Sequence, residues 1–171
     1  MTDGGSSLVR AALGLGSNLG DRRRLLSAAV DALRREPGVE VVAVSPLVES
    51  DPVGGPDQPD FLNAVVVVTT SLPPLELLAL AQRCEQDAGR VRDQRWGPRT
   101  LDVDVLAYDA VVSEDPVLTL PHPRAVERGF VLVPWSEVDP TFELAGRTVG
   151  EWAAEVGAAG VRPSGLSWEA L

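Results

Sequence analysis

Strand-like and helix-like hydrophobic patterns follow one another through the first 108 residues, and their order limits which folds the chain can form. Apolar residues recur every three or four positions in residues 21–35, whereas residues 101–108 alternate between apolar and polar. Residues 65–68 are four consecutive valines, a run typical of a strand buried on both faces. The predicted elements are a strand at 8–16, a helix at 21–35, strands at 39–50 and 61–70, a helix at 73–88 and a strand at 101–108.

This order predicts an α+β fold with a ferredoxin-like βαββαβ core. Four antiparallel strands form the central sheet, the two helices cover one face, and the other face is available to a ligand. We expect short helices and additional strands after residue 108, where prolines interrupt the pattern. A length of 171 residues suits one domain, which we place at residues 8–157. Segment 1–7 is expected to be flexible, and residues 158–171 to form a frayed tail.

The charged residues exclude several functions. Every one of the 15 basic residues is Arg, so a phosphate-binding loop of the Walker type and Schiff-base chemistry, which both need Lys, are excluded. The net charge of −10 argues against nucleic acid as a partner. The arginines nevertheless concentrate in one stretch, which indicates a small anionic ligand. That stretch contains Arg83, Arg90, Arg92, Arg95 and Arg99.

The composition indicates neither export nor membrane insertion. The first seven residues are polar and glycine-rich, and no uncharged apolar run reaches the roughly 18 residues that a membrane span requires. The one cysteine, Cys84, lies on the predicted core face of its helix and cannot form an internal disulfide. We therefore expect a cytoplasmic protein, and we expect it to be a monomer.

Asp102 and Asp104 are the strongest candidates for a metal site. Residues two apart in a strand point to the same face, about 7 Å apart, so both carboxylates project from the exposed face of the last predicted strand. Carboxylate pairs of this kind suit Mg²⁺, and this pair could hold two ions that also bind phosphate oxygens. Two surface acids on a solvated strand are the plain alternative. The nearby arginines favour a polyphosphate site, because Arg binds the oxygens that the metals leave.

A histidine, three aromatic residues and an amide are further candidates. His122 is the only histidine and lies between two prolines, which suits a fixed contact to phosphate or ribose. Phe61 and Phe130 are either core residues or stacking surfaces, while Trp96, inside the arginine stretch, favours stacking on a flat heterocycle. Asn63 lies on the same strand face as Phe61, and its amide could read a heterocycle edge.

A glycine-rich turn follows the first predicted strand and resembles a dinucleotide-binding fingerprint. Its spacing from Gly14 to Gly20 is one residue too long, and no repeated strand–helix–strand unit follows it. We therefore exclude a dinucleotide-binding fold.

Six short motifs are distributed along the chain. The most specific is RWGPRTLDVD at residues 95–104, preceded by GRVR at 89–92, and this stretch is too long for coincidence. The others are GSNLG at 16–20, DQPDFLNA at 57–64, PHP at 121–123 and RGF at 128–130. Together, and in the same order, these motifs resemble those of the 6-hydroxymethyl-7,8-dihydropterin pyrophosphokinases of folate biosynthesis. The resemblance covers roughly residues 8–145. It implies transfer of pyrophosphate from ATP to the pterin hydroxymethyl oxygen, with release of AMP.

The resemblance also implies a role for individual residues. The expected catalytic residues are Arg90, Arg92, Arg99, Asp102 and Asp104, of which Asp102 and Asp104 would bind two Mg²⁺ ions. The expected ATP-binding residues are Gln82, Glu85, Arg92, Trp96, Arg99, Thr119, His122 and Arg128. The expected pterin-binding residues are Ser50, Val53, Phe61, Asn63, Trp96 and Phe130. Phe61 and Phe130 would sandwich the pterin ring.

Two other functions remain open at the level of sequence. A ferredoxin-like module that binds a small ligand or RNA without catalysis would not need the paired carboxylates, and the net charge speaks against RNA. A different phosphoryl or nucleotidyl transferase could use the same residues, and the product, AMP or ADP, separates it from a pyrophosphokinase.

Overall fold

The computed structural model describes residues 8–52, 58–89 and 101–168, which contain ten strands and four α-helices. The strands are β1 (Val9–Ser17), β2 (Val39–Val44), β3 (Val48–Ser50), β4 (Phe61–Thr70), β5 (Asp102–Tyr108), β6 (Ser113–Asp115), β7 (Leu118–Leu120), β8 (Glu143–Leu144), β9 (Arg147–Thr148) and β10 (Val161–Pro163). The helices are α1 (Arg22–Arg35), α2 (Pro74–Asp87), α3 (Gly129–Val138) and α4 (Val149–Val156), with a 3₁₀ turn at Ala125–Glu127.

Six strands form one antiparallel sheet in the order β10-β3-β4-β1-β5, and β2 also pairs with β4. The predicted α+β class with an antiparallel sheet is confirmed. The sheet has six strands rather than four, partly because the predicted strand at 39–50 divides into β2 and β3. At the break, the Ser45 hydroxyl accepts a hydrogen bond from the Val65 backbone N–H at 2.9 Å, so a side chain continues the pairing.

Helices cover both faces of the sheet, so the expectation of one open face is wrong. On one face, α1 and α2 bury residues such as Leu26 and Leu77 against Val66. On the other face, α3 packs Leu132 against Val65. The sequence did not predict a helix on this face. The segment GFVLVPWSEV is mostly apolar and contains a proline, so it shows no clear helical period. The part of this face that α3 leaves open becomes a pocket.

The C-terminal segment is part of the sheet. The structure places β10 as the edge strand beside β3, with Val161 opposite Ser50, so the expectation of fraying is wrong for these residues. The Trp168 indole N–H then donates to the Ser45 carbonyl at 2.8 Å, which ties the segment to the β2–β3 connection. The domain limits given above stay a prediction. Within the described residues, no helix is both long enough and apolar enough to cross a membrane.

Candidate active site

One pocket lies at one end of the sheet, where the ends of several neighbouring strands meet. Because the strands are antiparallel, the end of β1 lies beside the starts of β4 and β5, and the end of β3 lies beside the start of β4. The first turn of α3 completes the wall. The pocket encloses about 830 Å³ of empty space that is continuous with solvent. Seven of the expected site residues line it: Ser50, Phe61, Asn63, Asp102, Asp104, Arg128 and Phe130.

The Asn63 amide is held in one orientation. Asn63 is only 5% exposed, and its Oδ1 accepts a hydrogen bond from the Ser50 hydroxyl at 2.5 Å. The residue opposite Asn63 on β1 is Gly16, where a Cβ would lie 2.9 Å from Asn63 Nδ2 and 3.6 Å from Phe61 Cδ1. The missing side chain at Gly16 therefore makes room for both residues. The orientation of the Asn63 amide is therefore fixed before a ligand binds.

Two aromatic rings also line the pocket. Phe61 begins β4 and Phe130 lies in the first turn of α3, and both are half-buried. The Arg128 guanidinium carbon lies 5.5 Å from the centroid of the Phe130 ring, within cation–π distance. The structure thus brings both expected stacking residues to the site. The sandwiched pterin stays a prediction.

Asp102 and Asp104 line the pocket from β5, as their spacing predicted, while Val103 between them is buried in the core. Their partners on β1 are Gly16 and Gly14. Directly opposite residues of an antiparallel pair project to the same face, so two glycines leave open the space beside both carboxylates. The sequence did not show that these glycines lie beside the two carboxylates, because the pairing of β1 with β5 depends on the fold. Two glycines at strand spacing, together with a D-x-D strand, were the available signal.

The donor set fits Mg²⁺ that shares its coordination with a substrate. Two carboxylates on one strand face supply hard oxygen ligands, and no group of three or more His, Cys, Asp or Glu side chains forms in the described part of the chain. A cage made of protein ligands alone is therefore not present there. Mg²⁺ is usually bound in proteins by one or two carboxylates together with phosphate oxygens and water, which matches this arrangement.

Two polar residues, Arg128 and His122, precede α3. Arg128 lies immediately before the helix, and His122 lies six residues earlier. Burial lowers the pKa of Arg128, whereas the Asp104 carboxylate, followed by Asp102, raises it. Burial, followed by the positive charges of Arg128 and Arg124, lowers the pKa of His122 to about 4. His122 Nδ1 accepts a hydrogen bond from the Arg124 backbone N–H at 3.2 Å, so the neutral ring carries its proton on Nε2. At neutral pH, His122 is an uncharged hydrogen-bond donor.

Four expected nucleotide residues do not line this pocket: His122, described above, and also Gln82, Thr119 and Glu85. Gln82 is exposed on α2. The Thr119 hydroxyl donates to the Asp115 carbonyl at 3.1 Å within the β6–β7 hairpin. Glu85 is buried, and its Oε2 accepts a hydrogen bond from the Val103 backbone N–H at 2.9 Å. The remaining expected residues lie outside the described residues: Val53, Arg90, Arg92, Trp96 and Arg99.

Comparison with known proteins agrees with the motifs. The family model described as 7,8-dihydro-6-hydroxymethylpterin-pyrophosphokinase (HPPK) matches residues 12–140. A 2-amino-4-hydroxy-6-hydroxymethyldihydropteridine pyrophosphokinase from Methylorubrum extorquens is 46% identical over 154 residues, which cover 90% of this chain and 98% of the relative. The enzyme of the same name from Bacillus subtilis is 48% identical over 128 residues, 75% of this chain and 77% of the relative.

Solved structures agree at the level of the fold. A crystal structure of Plasmodium falciparum HPPK-DHPS matches 88% of this chain with a TM-score of 0.66 and 15% sequence identity. The match spans 43% of that longer chain, less than half of its length. The family model alone covers most of the present sequence, and the relatives are well above 30% identical. The chain belongs to the 7,8-dihydro-6-hydroxymethylpterin-pyrophosphokinase family.

Proposed function

We propose that this protein transfers the pyrophosphate group of ATP to the hydroxymethyl oxygen of 6-hydroxymethyl-7,8-dihydropterin and releases AMP. The observation that carries this proposal is that one pocket holds both halves of the required chemistry. Asn63 with two aromatic rings suits a flat heterocycle, and Asp102 with Asp104 suits metal-bound phosphates. The names of the curated relatives agree with this reaction.

The pterin is recognised at the β4 side of the pocket. The Ser50 hydroxyl donates a hydrogen bond to Asn63 Oδ1, which fixes the orientation of the amide. The amide can then form hydrogen bonds with the polar edge of the pterin ring. Phe61 and Phe130 provide apolar surface for the ring faces. Val53 and Trp96 are assigned to the same ring by motif alone.

Asp102 and Asp104 are the residues that would hold Mg²⁺. When bound, the metal neutralises part of the phosphate charge and orients the triphosphate. We place two ions here because the two carboxylates share one strand face and the ATP oxygens supply further ligands.

The remaining residues stabilise the charge of the phosphate chain. The pterin hydroxyl oxygen attacks the β-phosphorus and its proton is released to water. The bond from that phosphorus to the oxygen that bridges it to the α-phosphorus breaks, and AMP leaves with that oxygen. Arg128 contributes a guanidinium, and His122 donates its Nε2–H to a phosphate oxygen while remaining uncharged. Arg90, Arg92 and Arg99 are assigned to the same phosphates by motif. Gln82 and Thr119 are assigned to the nucleotide in the same way.

We also infer that the sheet contains a ferredoxin-like core, to which β3 and β10 add. The order β5-β1-β4-β2, with α1 and α2 as the crossovers, supports this. We propose that the protein acts as a monomer in the cytoplasm, without nucleic-acid or membrane partners. The net charge of −10 supports the absence of nucleic acid.

An assay of products tests the proposed reaction. The protein is incubated with ATP, Mg²⁺ and the hydroxymethyl dihydropterin, and nucleotides are separated over time. We expect AMP to form in equal amount to the pyrophosphorylated pterin, and no AMP when the pterin is omitted. ADP as the product would show a simple phosphoryl transferase. Pterin binding without any nucleotide turnover would show a ligand-binding module.

A further inference from the structure

β5 is an edge strand that carries both proposed metal ligands. It pairs with β1 on one side, and in the described residues no strand pairs with its other side. An edge strand keeps its position less firmly than a central one, because one row of backbone groups has no ladder partner. Metal ligands nevertheless need positions held to within about 0.5 Å. Some other part of the molecule has to fix this strand.

The Glu85 side chain provides that support from α2. Its Oε2 accepts a hydrogen bond from the Val103 backbone N–H at 2.9 Å, and Glu85 is 5% exposed. Val103 is the residue between Asp102 and Asp104, so this bond acts midway between the two carboxylates. A hydrogen bond from a backbone N–H to a carboxylate is stronger than one between neutral groups.

The packing of α2 gives the contact a rigid base. Apolar residues of α2, including Ala81 and Cys84, lie in one core cluster with Val103 and Val105 of β5. The Glu85 carboxylate is therefore held by a helix that already packs against the strand. A buried carboxylate is costly unless it is hydrogen-bonded, so its presence at this position needs a reason that apolar packing does not supply.

We propose that Glu85 is a positioning residue, which acts through Val103 to fix the spacing of Asp102 and Asp104 for Mg²⁺. This inference rests on the proposed function, since it takes Asp102 and Asp104 as metal ligands. It differs from the role that the motif implies for Glu85, which is direct contact with ATP. A carboxylate that is buried and bonded to Val103 braces the strand that presents the ligands.

Ser45 offers a matched control elsewhere in the sheet. Its hydroxyl oxygen accepts a hydrogen bond from the Val65 backbone N–H, also at 2.9 Å, and Ser45 is fully buried. Both contacts are therefore buried bonds from a strand N–H to a side chain. Ser45 is not among the residues that line the pocket. Loss of either bond lowers stability, whereas only loss of the Glu85 bond acts on the metal ligands.

The experiment measures metal binding directly. Mn²⁺ replaces Mg²⁺, and free Mn²⁺ is followed by electron paramagnetic resonance in the presence of α,β-methylene-ATP, which cannot release AMP. The variants are Glu85→Leu, Glu85→Asp, Glu85→Gln and Ser45→Ala, and thermal melts without metal report their folding. Loss of residues that orient metal ligands weakens metal affinity by about 10–100-fold.

We expect Glu85→Leu to weaken Mn²⁺ binding by about tenfold or more. Glu85→Gln keeps an oxygen that can accept the Val103 N–H, so its Mn²⁺ affinity stays within about threefold of the parent. Glu85→Asp is one methylene shorter and falls between the two. Ser45→Ala lowers the melting temperature but leaves Mn²⁺ affinity unchanged. If Glu85→Leu does not fold, the difference between the Asp and Gln variants decides the question.

Unchanged Mn²⁺ affinity in a folded Glu85→Leu protein would overturn the inference, as would an equal loss in Ser45→Ala. A Gln variant as weak as the Leu variant would also overturn it, because the charge rather than the hydrogen bond would then matter. The proposed function fails separately. In that case the parent protein makes no AMP, even though Mn²⁺ binding still depends on Glu85.

Discussion

The central strand β4 and the edge strand β5 both contribute to the pocket, but they hold their functional side chains in different ways. β4 has sheet partners on both sides, and its Asn63 is buried and bonded to Ser50 on the neighbouring strand β3. β5 has β1 on one side and the Glu85 carboxylate on the other. Its Asp102 and Asp104 stay half-exposed.

This difference matches what we propose that each side binds. An amide that binds the polar edge of a flat ring is more selective when it is fixed and shielded from water. A ring with the wrong polar groups then leaves the amide without a hydrogen-bond partner. Carboxylates that bind a hydrated cation must instead remain open to water and phosphate. Two close carboxylates also repel each other when no metal is present, which is less costly near solvent. A central strand suits the first task, and a braced edge strand suits the second.

The largest expected effect is on the β5 side. Asp102→Asn and Asp104→Asn each keep the side-chain shape but remove one charge from the proposed metal site. We expect AMP formation to fall by about 10²–10³-fold, the scale of losing one main electrostatic contact in the transition state. Thermal stability without metal should stay equal or rise slightly, since the repulsion is relieved.

Pterin titration of the same two variants is the control, because the pterin contacts assigned to β4 are untouched. We expect pterin affinity to change by less than about threefold. Near-normal AMP formation in both variants would show that the carboxylates are not metal ligands. A large loss of metal-free stability would show that they are structural.

The next largest effect is on the β4 side. Gly16→Ala places a methyl group 2.9 Å from Asn63 Nδ2, closer than side chains tolerate, so the amide has to shift. We expect pterin affinity to fall by about tenfold, the effect of about one lost hydrogen bond in the complex. Gly14→Ala, two residues earlier, meets only the flexible end of Leu106 at 3.4 Å, so it should affect pterin affinity less.

Calorimetric titration of pterin into both glycine variants makes this comparison. An equal loss of affinity in the two variants would mean that crowding of β1, rather than the orientation of the Asn63 amide, sets pterin affinity.

The sequence predicted the residues whose signal is local and missed those whose partner lies far along the chain. Asp102 and Asp104 alternate with buried valines, so strand spacing alone gave their common face. The contact from Ser50 to Asn63 depends on the register of β3 against β4, and the contact from Glu85 to Val103 depends on how α2 packs. β10 was missed because three residues, one of them proline, are too few to show a period.

A lower pH should reduce the stability of the folded protein through His122. This residue lies beside β5, where its backbone N–H donates to the Leu106 carbonyl at 2.8 Å. Burial lowers the pKa of His122 from 6.5 to about 4 in the folded protein. The unfolded chain therefore binds more protons between these values, so stability falls as the pH drops below 6.5. We expect His122 to account for a loss of about 2 kcal/mol in the free energy of unfolding between pH 7 and pH 5.

Urea unfolding of the parent and of His122→Gln across this pH range measures the His122 contribution, because Gln does not titrate. The difference in unfolding free energy between the two proteins should change with pH in the stated direction. A constant difference would show that His122 has an ordinary pKa and is accessible to water.

The smallest expected effect concerns Arg162, which joins the C-terminal strand β10 to the β4 side of the pocket. Its guanidinium pairs with Asp51 at 2.9 Å and also with Asp60, which immediately precedes β4. Asp51 is exposed, and Arg162 and Asp60 are partly exposed, so water and salt screen these ion pairs strongly. We therefore expect Arg162→Ala to change pterin affinity by less than about threefold, because Asn63 is held by Ser50 and not by this ion pair.

Arg35→Ala is the matched variant for Arg162→Ala, since it removes an exposed ion pair with Asp31 on α1. Melting temperatures at low and at high salt should respond alike in the two variants, and pterin affinity should change little in both. A loss of more than about tenfold in pterin affinity for Arg162→Ala alone would exceed what an exposed ion pair provides. The buried contacts around β4 would then be insufficient to hold the amide, and β10 would have to count among the elements that shape the pterin site.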